Sequence, residues 1–167
     1  ANNCYSNIDK FHQEYPSYPE EAFIASGRPR FSIDVLKDYL MNAKEGTRYF
    51  LEKSGLVEDK NGYLEIWELP KEDEFYCIGA DVAEGLINGD FSAAYVTDSD
   101  LNVVAKWHGH IDPDLFGVEL AKLGRLYNEA YIGVENNNHG LTTLKALQKE
   151  EYYNIYFTKT YDKVSDS

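Results

Sequence analysis

The sequence has few cysteines and no long apolar run, and both absences restrict what the protein can be. Only Cys4 and Cys77 occur among 167 residues, which argues against a disulfide framework or a cysteine zinc site. Cys77 lies in an apolar stretch and is expected to be a small buried hydrophobe. No segment approaches the roughly 18 apolar residues of a membrane span, and the polar N-terminus lacks a signal-peptide core. We expect a protein of a reducing cytoplasm with no membrane partner.

Positive charge is also scarce. The chain has 16 Lys and Arg against 29 Asp and Glu, a net charge of −13, and no cluster of basic residues is apparent. A domain that binds nucleic acid by itself usually has a basic face. Two interpretations stay open: an acidic protein that never meets DNA, or a catalytic module whose acids include metal ligands while another domain holds most of the DNA.

Hydrophobic patterning divides the chain near Gly62. Residues 1–62 lack sheet-like alternation and are predicted to be a connector outside any sheet, containing a helix over 33–43. From Tyr63 onward, apolar runs predict an edge strand over 63–69, ended by Pro70. Further strands are predicted over 75–82, 91–97, 102–108, 130–135 and 153–157.

Two helices are predicted between the later strands. Asp112 is typical of an N-cap and Pro113 of a first helical position, and Asn138 is a possible cap for the second helix. The order from residue 75 is β-β-β-α-β-α-β, which indicates an α/β protein with a ribonuclease H-like mixed sheet flanked by helices, preceded by a non-sheet N-terminal connector.

Two acids end predicted strands. Asp81 follows the apolar run YCIGA, and Glu135 follows YIGV. In a ribonuclease H-like sheet the first and fourth strands lie side by side and parallel, so these carboxylates are expected within a few ångströms. Like charges so close call for a divalent metal between them, and two such ions roughly 3.5–4 Å apart can hydrolyse a phosphodiester. Taken singly, Asp81 is also typical of a turn or cap acid and Glu135 of an exposed strand end.

Three stretches resemble the nuclease domain of phage terminase large subunits, the DNA-packaging motors. They are GADVAEG at 79–85 with GDFSA at 89–93, VENNNHG at 134–140, and FHQEYPSYPEEAF at 11–23, which is similar to the segment joining the ATPase to the nuclease in that family. The resemblance covers nearly the whole chain. It implies a DNA endonuclease of a phage or prophage that uses two Mg²⁺ or Mn²⁺ ions. The enzyme would act on double-stranded DNA in the cytoplasm of the host cell.

The resemblance also implies roles for single residues. Asp81 and Glu135 would be catalytic metal ligands, and Asp90 and Glu84 match the acidic loop and are further candidate ligands, although Asp90 is as typical of a turn acid before a strand. His139 is a possible phosphate contact. The implied partners are the terminase ATPase domain, the small terminase subunit and the portal.

Two departures from the family pattern bear on activity. The third carboxylate of the family lies after the fifth strand, where this sequence ends at Ser167, and no G-x-x-x-x-G-K-[ST] phosphate loop occurs. We therefore expect a fragment: residues 1–62 as connector from an absent ATPase, and 63–167 as a nuclease domain truncated before its last helical part, with doubtful cutting activity of its own.

Two alternatives remain. The 81–90 loop could belong to an actin-like or sugar-kinase-type phosphotransferase, although no Ser or Thr follows Gly85. The chain could also be a non-catalytic docking module of the packaging motor, which the acidic surface permits.

Overall fold

The computed structural model describes residues 32–52, 55–86, 89–135 and 139–157. The chain divides into two compact units between Lys44 and Glu45. The described part of the first unit contains helix α1 (Ile33–Asn42), which confirms the helix predicted there. No described helix has the length and apolar character needed to cross a membrane.

The second unit is built on one mixed sheet. Its described elements are β1 (Thr47–Glu52), β2 (Gly55–Glu58), β3 (Leu64–Ile66), β4 (Cys77–Asp81), β5 (Ser92–Thr97), β6 (Val103–Gly109), α2 (Pro113–Leu126), β7 (Tyr131–Val134) and α3 (Gly140–Lys149). The strand order is β2-β1-β3-β6-β5-β4-β7. Among these described strands, adjacent members pair antiparallel except β4 with β7, which pair parallel. The predicted mixed α/β architecture and its order from residue 75 to α3 are confirmed.

The core lies between one face of the sheet and helices α2 and α3. Even-numbered residues of β4 and β5 are buried and odd-numbered ones are more exposed, because successive side chains of a strand point to opposite faces. The helices contribute buried residues to the same cluster, among them Phe116, Leu120 and Leu147. The opposite face of β4 and β5 therefore keeps solvent-exposed positions among the described residues.

The prediction that residues before Gly62 lie outside the sheet is wrong. Strands β1 and β2 pair with each other antiparallel, and β1 also pairs with β3. Tyr49, Leu51 and Leu56 pack against the core, but charged neighbours conceal their alternation. Gly62 is needed for packing, because a Cβ there would lie 2.6 Å from the backbone nitrogen of Tyr49. Whether residues 1–62 connect to an ATPase stays a prediction.

Two further strand predictions need correction. The predicted edge strand over 63–69 is the short interior strand β3, buried along its length between β1 and β6. The predicted strand over 153–157 is reduced to one parallel bridge between Ile155 and Ile132. Pro113 begins α2 as predicted, with Asp112 at the N-cap position but without a side-chain capping hydrogen bond. The other proposed cap, Asn138, lies outside the described residues.

Candidate metal centre

The parallel pairing of β4 with β7 brings the two predicted acids together. The register places Ala80 opposite Val134, and the N–H of Glu135 donates to the carbonyl oxygen of Ala80 at 2.9 Å. Asp81 and Glu135 are therefore neighbours at the same end of adjacent strands. Both are exposed, and Asp81 points away from the buried residues of β4. The predicted juxtaposition is present, while the role of these residues as metal ligands stays a prediction.

The two carboxyl groups interact directly. A hydrogen bond between them raises the pKa of Glu135 above its ordinary value, the negative charge of Asp81 raises it further, and a small loss of hydration acts in the same direction. A carboxyl group whose pKa is raised by another carboxylate lacks enough local positive charge to keep both ionised. A bound cation would supply that charge.

The donor chemistry of this pair fits a hard divalent cation. Mg²⁺ and Mn²⁺ take carboxylate oxygens as ligands and usually keep several waters, and two exposed carboxylates at a sheet edge leave room for those waters. Within the residues that the structure describes, no group of three or more His, Cys, Asp or Glu side chains is arranged to hold a metal ion. The described residues thus contain two candidate ligands, Asp81 and Glu135, and no third candidate beside them.

The structure adds neither Glu84 nor Asp90 to the pair as a third ligand. Glu84 lies in the loop after β4, where its Oε1 is 3.3 Å from Nε2 of His139, so these two side chains connect the loops that follow β4 and β7. Asp90 is exposed just before β5. The metal roles of both acids and the phosphate contact of His139 stay predictions.

Backbone constraints fix the loop after β4. Gly85 has a positive φ of 79°, and a Cβ there would lie 2.6 Å from the carbonyl oxygen of Ile111, so glycine is required. The N–H of Ala83 donates to the buried Oγ of Ser92 at 3.1 Å. Sequence reasoning missed this role of Ser92, for which the only signal was a small polar residue at an inward-facing strand position.

Solved structures with the same fold bear on this site. The chain is similar to the large terminase nuclease from thermophilic phage G20c with bound magnesium, at 22% identity and a TM-score of 0.51, covering 71% of this chain and 56% of that one. The same nuclease with bound cobalt gives 20% identity and a TM-score of 0.50, covering 68% of this chain and 55% of that one. The chain has the ribonuclease H-like fold of a terminase nuclease.

The similarity to this terminase-nuclease fold is structural. No protein-family model matches the sequence, and no curated protein matches it. The chain spans little more than half the length of the two solved nucleases. At this level of identity the comparison establishes the fold, and the chemistry of this chain has to be argued from its own residues.

Sequence reasoning did not identify a second group of side chains, which is centred on Phe91. The ring of Phe91 stacks on His108 with centroids 4.6 Å apart and contacts His110 with centroids 3.8 Å apart. Alternation along β6 places Lys106 and His108 on one face, and this alternation could have been recognised from the sequence. Their proximity to the carboxylate pair depends on the strand order, which local pattern does not supply.

Proposed function

We propose that this chain is the nuclease module of a DNA-packaging large terminase and hydrolyses phosphodiesters of double-stranded DNA with two divalent ions, Mg²⁺ or Mn²⁺. The observation that carries the proposal is the carboxylate pair on the parallel strands β4 and β7, with its raised Glu135 pKa. The shared terminase-nuclease fold supports the same proposal.

Within this proposal the protein supplies ligands and rigidity. Asp81 and Glu135 bind the divalent ions from adjacent strands. The backbone hydrogen bond from the N–H of Glu135 to the carbonyl oxygen of Ala80 keeps the two residues side by side at the same end of β4 and β7. The bound divalent ions would activate the attacking water and neutralise the leaving oxygen. The contact between Glu84 and His139, 3.3 Å from Oε1 to Nε2, joins residues that follow β4 and β7 beside the carboxylate pair.

The complete active site draws on more than the described residues. Two carboxylates do not fill the coordination shells of two ions, so the proposal includes a further carboxylate ligand. It also includes three partners in the host cytoplasm: the terminase ATPase domain, the small terminase subunit and the portal. A net charge of −13 repels DNA. We therefore expect weak metal binding and little or no cleavage by this chain alone.

Calorimetric titration with Mn²⁺ tests the metal site. Wild type should bind Mn²⁺ weakly, and Asp81→Asn or Glu135→Gln should abolish the binding heat, because each change keeps the shape of the side chain and removes its charge. Asp100→Asn is the matched control, since Asp100 lies in the exposed turn between β5 and β6, at the other end of β5 from the site. Circular dichroism should show the same fold in all four proteins.

Two outcomes would count against the proposal. Unchanged Mn²⁺ binding in both site variants would remove Asp81 and Glu135 from the metal centre. Equal loss of binding in Asp100→Asn would show that general surface charge, and no specific pair, attracts the ion. A protein that bound no divalent ion and still bound other motor components would favour the docking alternative.

A further inference from the structure

A row of side chains extends across the sheet from the carboxylate pair. Asp81 pairs with Ala93, and Ala93 pairs with His108. Directly paired residues of adjacent strands lie on the same face, so His108 lies on the face of Asp81, two strands away. At about 4.8 Å per strand this separation is roughly 10 Å. In this row of paired residues, the small side chain of Ala93 lies between Asp81 and His108.

The next row on this face brings two cations close to His108. Tyr95 pairs with Lys106, Lys106 with Glu65, and Glu65 with Arg48. Together with the histidines, the cations form a surface that we call the basic patch, consisting of Arg48, Lys106, His108 and His110.

The charge of the basic patch is not fully balanced. Glu65 is the carboxylate between its two cations, with Lys106 at 3.1 Å and Arg48 at 3.5 Å from the same oxygen. One carboxylate thus faces two cations. His108 is exposed, but partial loss of hydration lowers the pKa of its imidazole below the ordinary value, and the neighbouring positive charges of Lys106, Arg48 and His110 lower it further. The local field at His108 is therefore positive in a protein whose net charge is −13.

The histidines of the basic patch are held in place by an aromatic side chain. The ring of Phe91 stacks on His108 and is tilted against His110, and Phe91 is itself 48% exposed. Nδ1 of His110 is shielded from solvent and has no hydrogen-bond partner among the described residues. The rings are thus oriented by stacking, while His108 remains exposed.

We propose that the basic patch binds the phosphate backbone of the DNA strand that enters the carboxylate site, a step that rests on the proposed nuclease function. One strand presents a phosphate about every 3.4 Å along the helix axis. A separation of roughly 10 Å between Asp81 and His108 lets the patch contact the same strand within a few phosphates of the one held at Asp81 and Glu135. Lys106 and Arg48 supply charge, and His108 donates an N–H to a phosphate oxygen.

The competing explanation is purely structural. On that account, Lys106 and Arg48 neutralise the buried Glu65, and the Phe91 stack closes the end of the sheet. Both explanations expect a stability effect when Lys106 changes. Only the DNA-binding role expects His108 and Lys106 to affect affinity for DNA and its dependence on salt.

Fluorescence anisotropy with a short labelled DNA duplex separates the two, with the full chain and Ca²⁺ in place of Mg²⁺. Lys106→Gln should weaken binding about tenfold, near the lower end of the range for a hydrogen bond to a charged group. His108→Gln should weaken it about fivefold, the scale of an ordinary hydrogen bond. Lys106→Gln should also reduce the slope of log affinity against log salt by about 0.9, the value for one phosphate contact.

Lys122→Gln is the matched control. Lys122 lies on α2, is 30% exposed and pairs with Glu119, whereas Lys106 is 26% exposed and pairs with Glu65. The control should bind DNA like wild type. If Lys106→Gln unfolds the protein, the exposed His108→Gln decides the question alone.

Several results would overturn the proposal. They are wild-type affinity and salt slope in both patch variants, an equal loss in Lys122→Gln, or no duplex binding by the wild-type protein. Mn²⁺ calorimetry on the same samples keeps the two proposals apart. Patch variants that lose DNA affinity should retain Mn²⁺ binding, and failure of the patch alone would leave the carboxylate site standing.

Discussion

Replacing Glu65 by Gln should lower stability through charge and without a change of shape. The Glu65 side chain is only 10% exposed, and its Oε1 accepts the N–H of Gly46 at 3.0 Å. Burial opposes ionisation, but the bond from Gly46 and the charges of Lys106 and Arg48 outweigh it and hold the pKa of Glu65 below its usual value. A glutamine side chain at this position can still accept the hydrogen bond from the N–H of Gly46, but it loses both ion pairs.

The expected cost follows from these contacts. The Arg48 side chain is 50% exposed and its pair contributes little, as in other surface ion pairs. The Lys106 side chain is 26% exposed, so its charged hydrogen bond contributes most of the loss. We expect a decrease of about 1–2 kcal/mol in the free energy of unfolding, or about 3–6 °C in Tm for a unit of this size.

The pH dependence of the free energy of unfolding shows whether the stability loss in Glu65→Gln is electrostatic. Because the folded-state pKa of Glu65 is lowered, its stabilising effect is complete above the unfolded-state pKa near 4.5 and is lost as the pH falls through the folded-state value. Urea unfolding followed by circular dichroism should therefore show the full difference between wild type and Glu65→Gln at neutral pH. The difference should shrink below about pH 4.5.

Glu68→Gln provides the control for this prediction. Glu68 pairs with Lys71 at 2.8 Å, but the two side chains are 53% and 64% exposed, so the loss should be clearly smaller than that of Glu65→Gln. Equal losses in both variants, or a Glu65→Gln penalty that is the same at acid and neutral pH, would refute the electrostatic account of Glu65.

Three further predictions concern activity and packing. In a full-length terminase, Asp81→Asn should abolish DNA cleavage while circular dichroism shows an intact fold, and cutting at the normal rate would rule out the two-metal assignment. The isolated chain should nick plasmid DNA little or not at all with Mg²⁺ on agarose gels, so robust nicking would show that it holds a complete site. Gly117→Ala should lower the free energy of unfolding by about 2 kcal/mol, because the new Cβ would lie 2.6 Å from Cβ of Ala146. Gly79→Ala is the control in urea unfolding, since nothing lies within 4 Å of a Cβ there, and equal losses would argue against tight helix packing.

The neighbouring carboxylates were predictable from the sequence because their signals are local. Asp81 and Glu135 each end a short apolar run, and the order of strands and helices around them is typical of a sheet in which these two strands are adjacent. Pro113 marked the start of α2 for an equally local reason, since its fixed φ and missing N–H suit a first helical position. The structure confirms the parallel pairing of β4 and β7 and the start of α2.

Pairing between distant strands was decided by tertiary structure. The paired strands β1 and β2 have a weak alternation broken by charged residues, and they join the sheet because β3 pairs with β1. The segment predicted as a strand over 153–157 has enough apolar residues for a strand, yet within it only Ile155 forms a β-bridge. Local pattern measures the tendency of a segment to be extended, whereas sheet membership depends on hydrogen-bonding partners elsewhere in the chain.

The sequence by itself determined the α/β class, the adjacent carboxylates and the acidic character of the protein. Tertiary structure alone decided where the few cations lie. Arg48, Glu65 and Lys106 come from three separate strands and meet only because β1, β3 and β6 are neighbours. Electrostatic interaction depends on distance in space, so a chain of net charge −13 can still present a basic patch whose nearest member, His108, lies roughly 10 Å from Asp81.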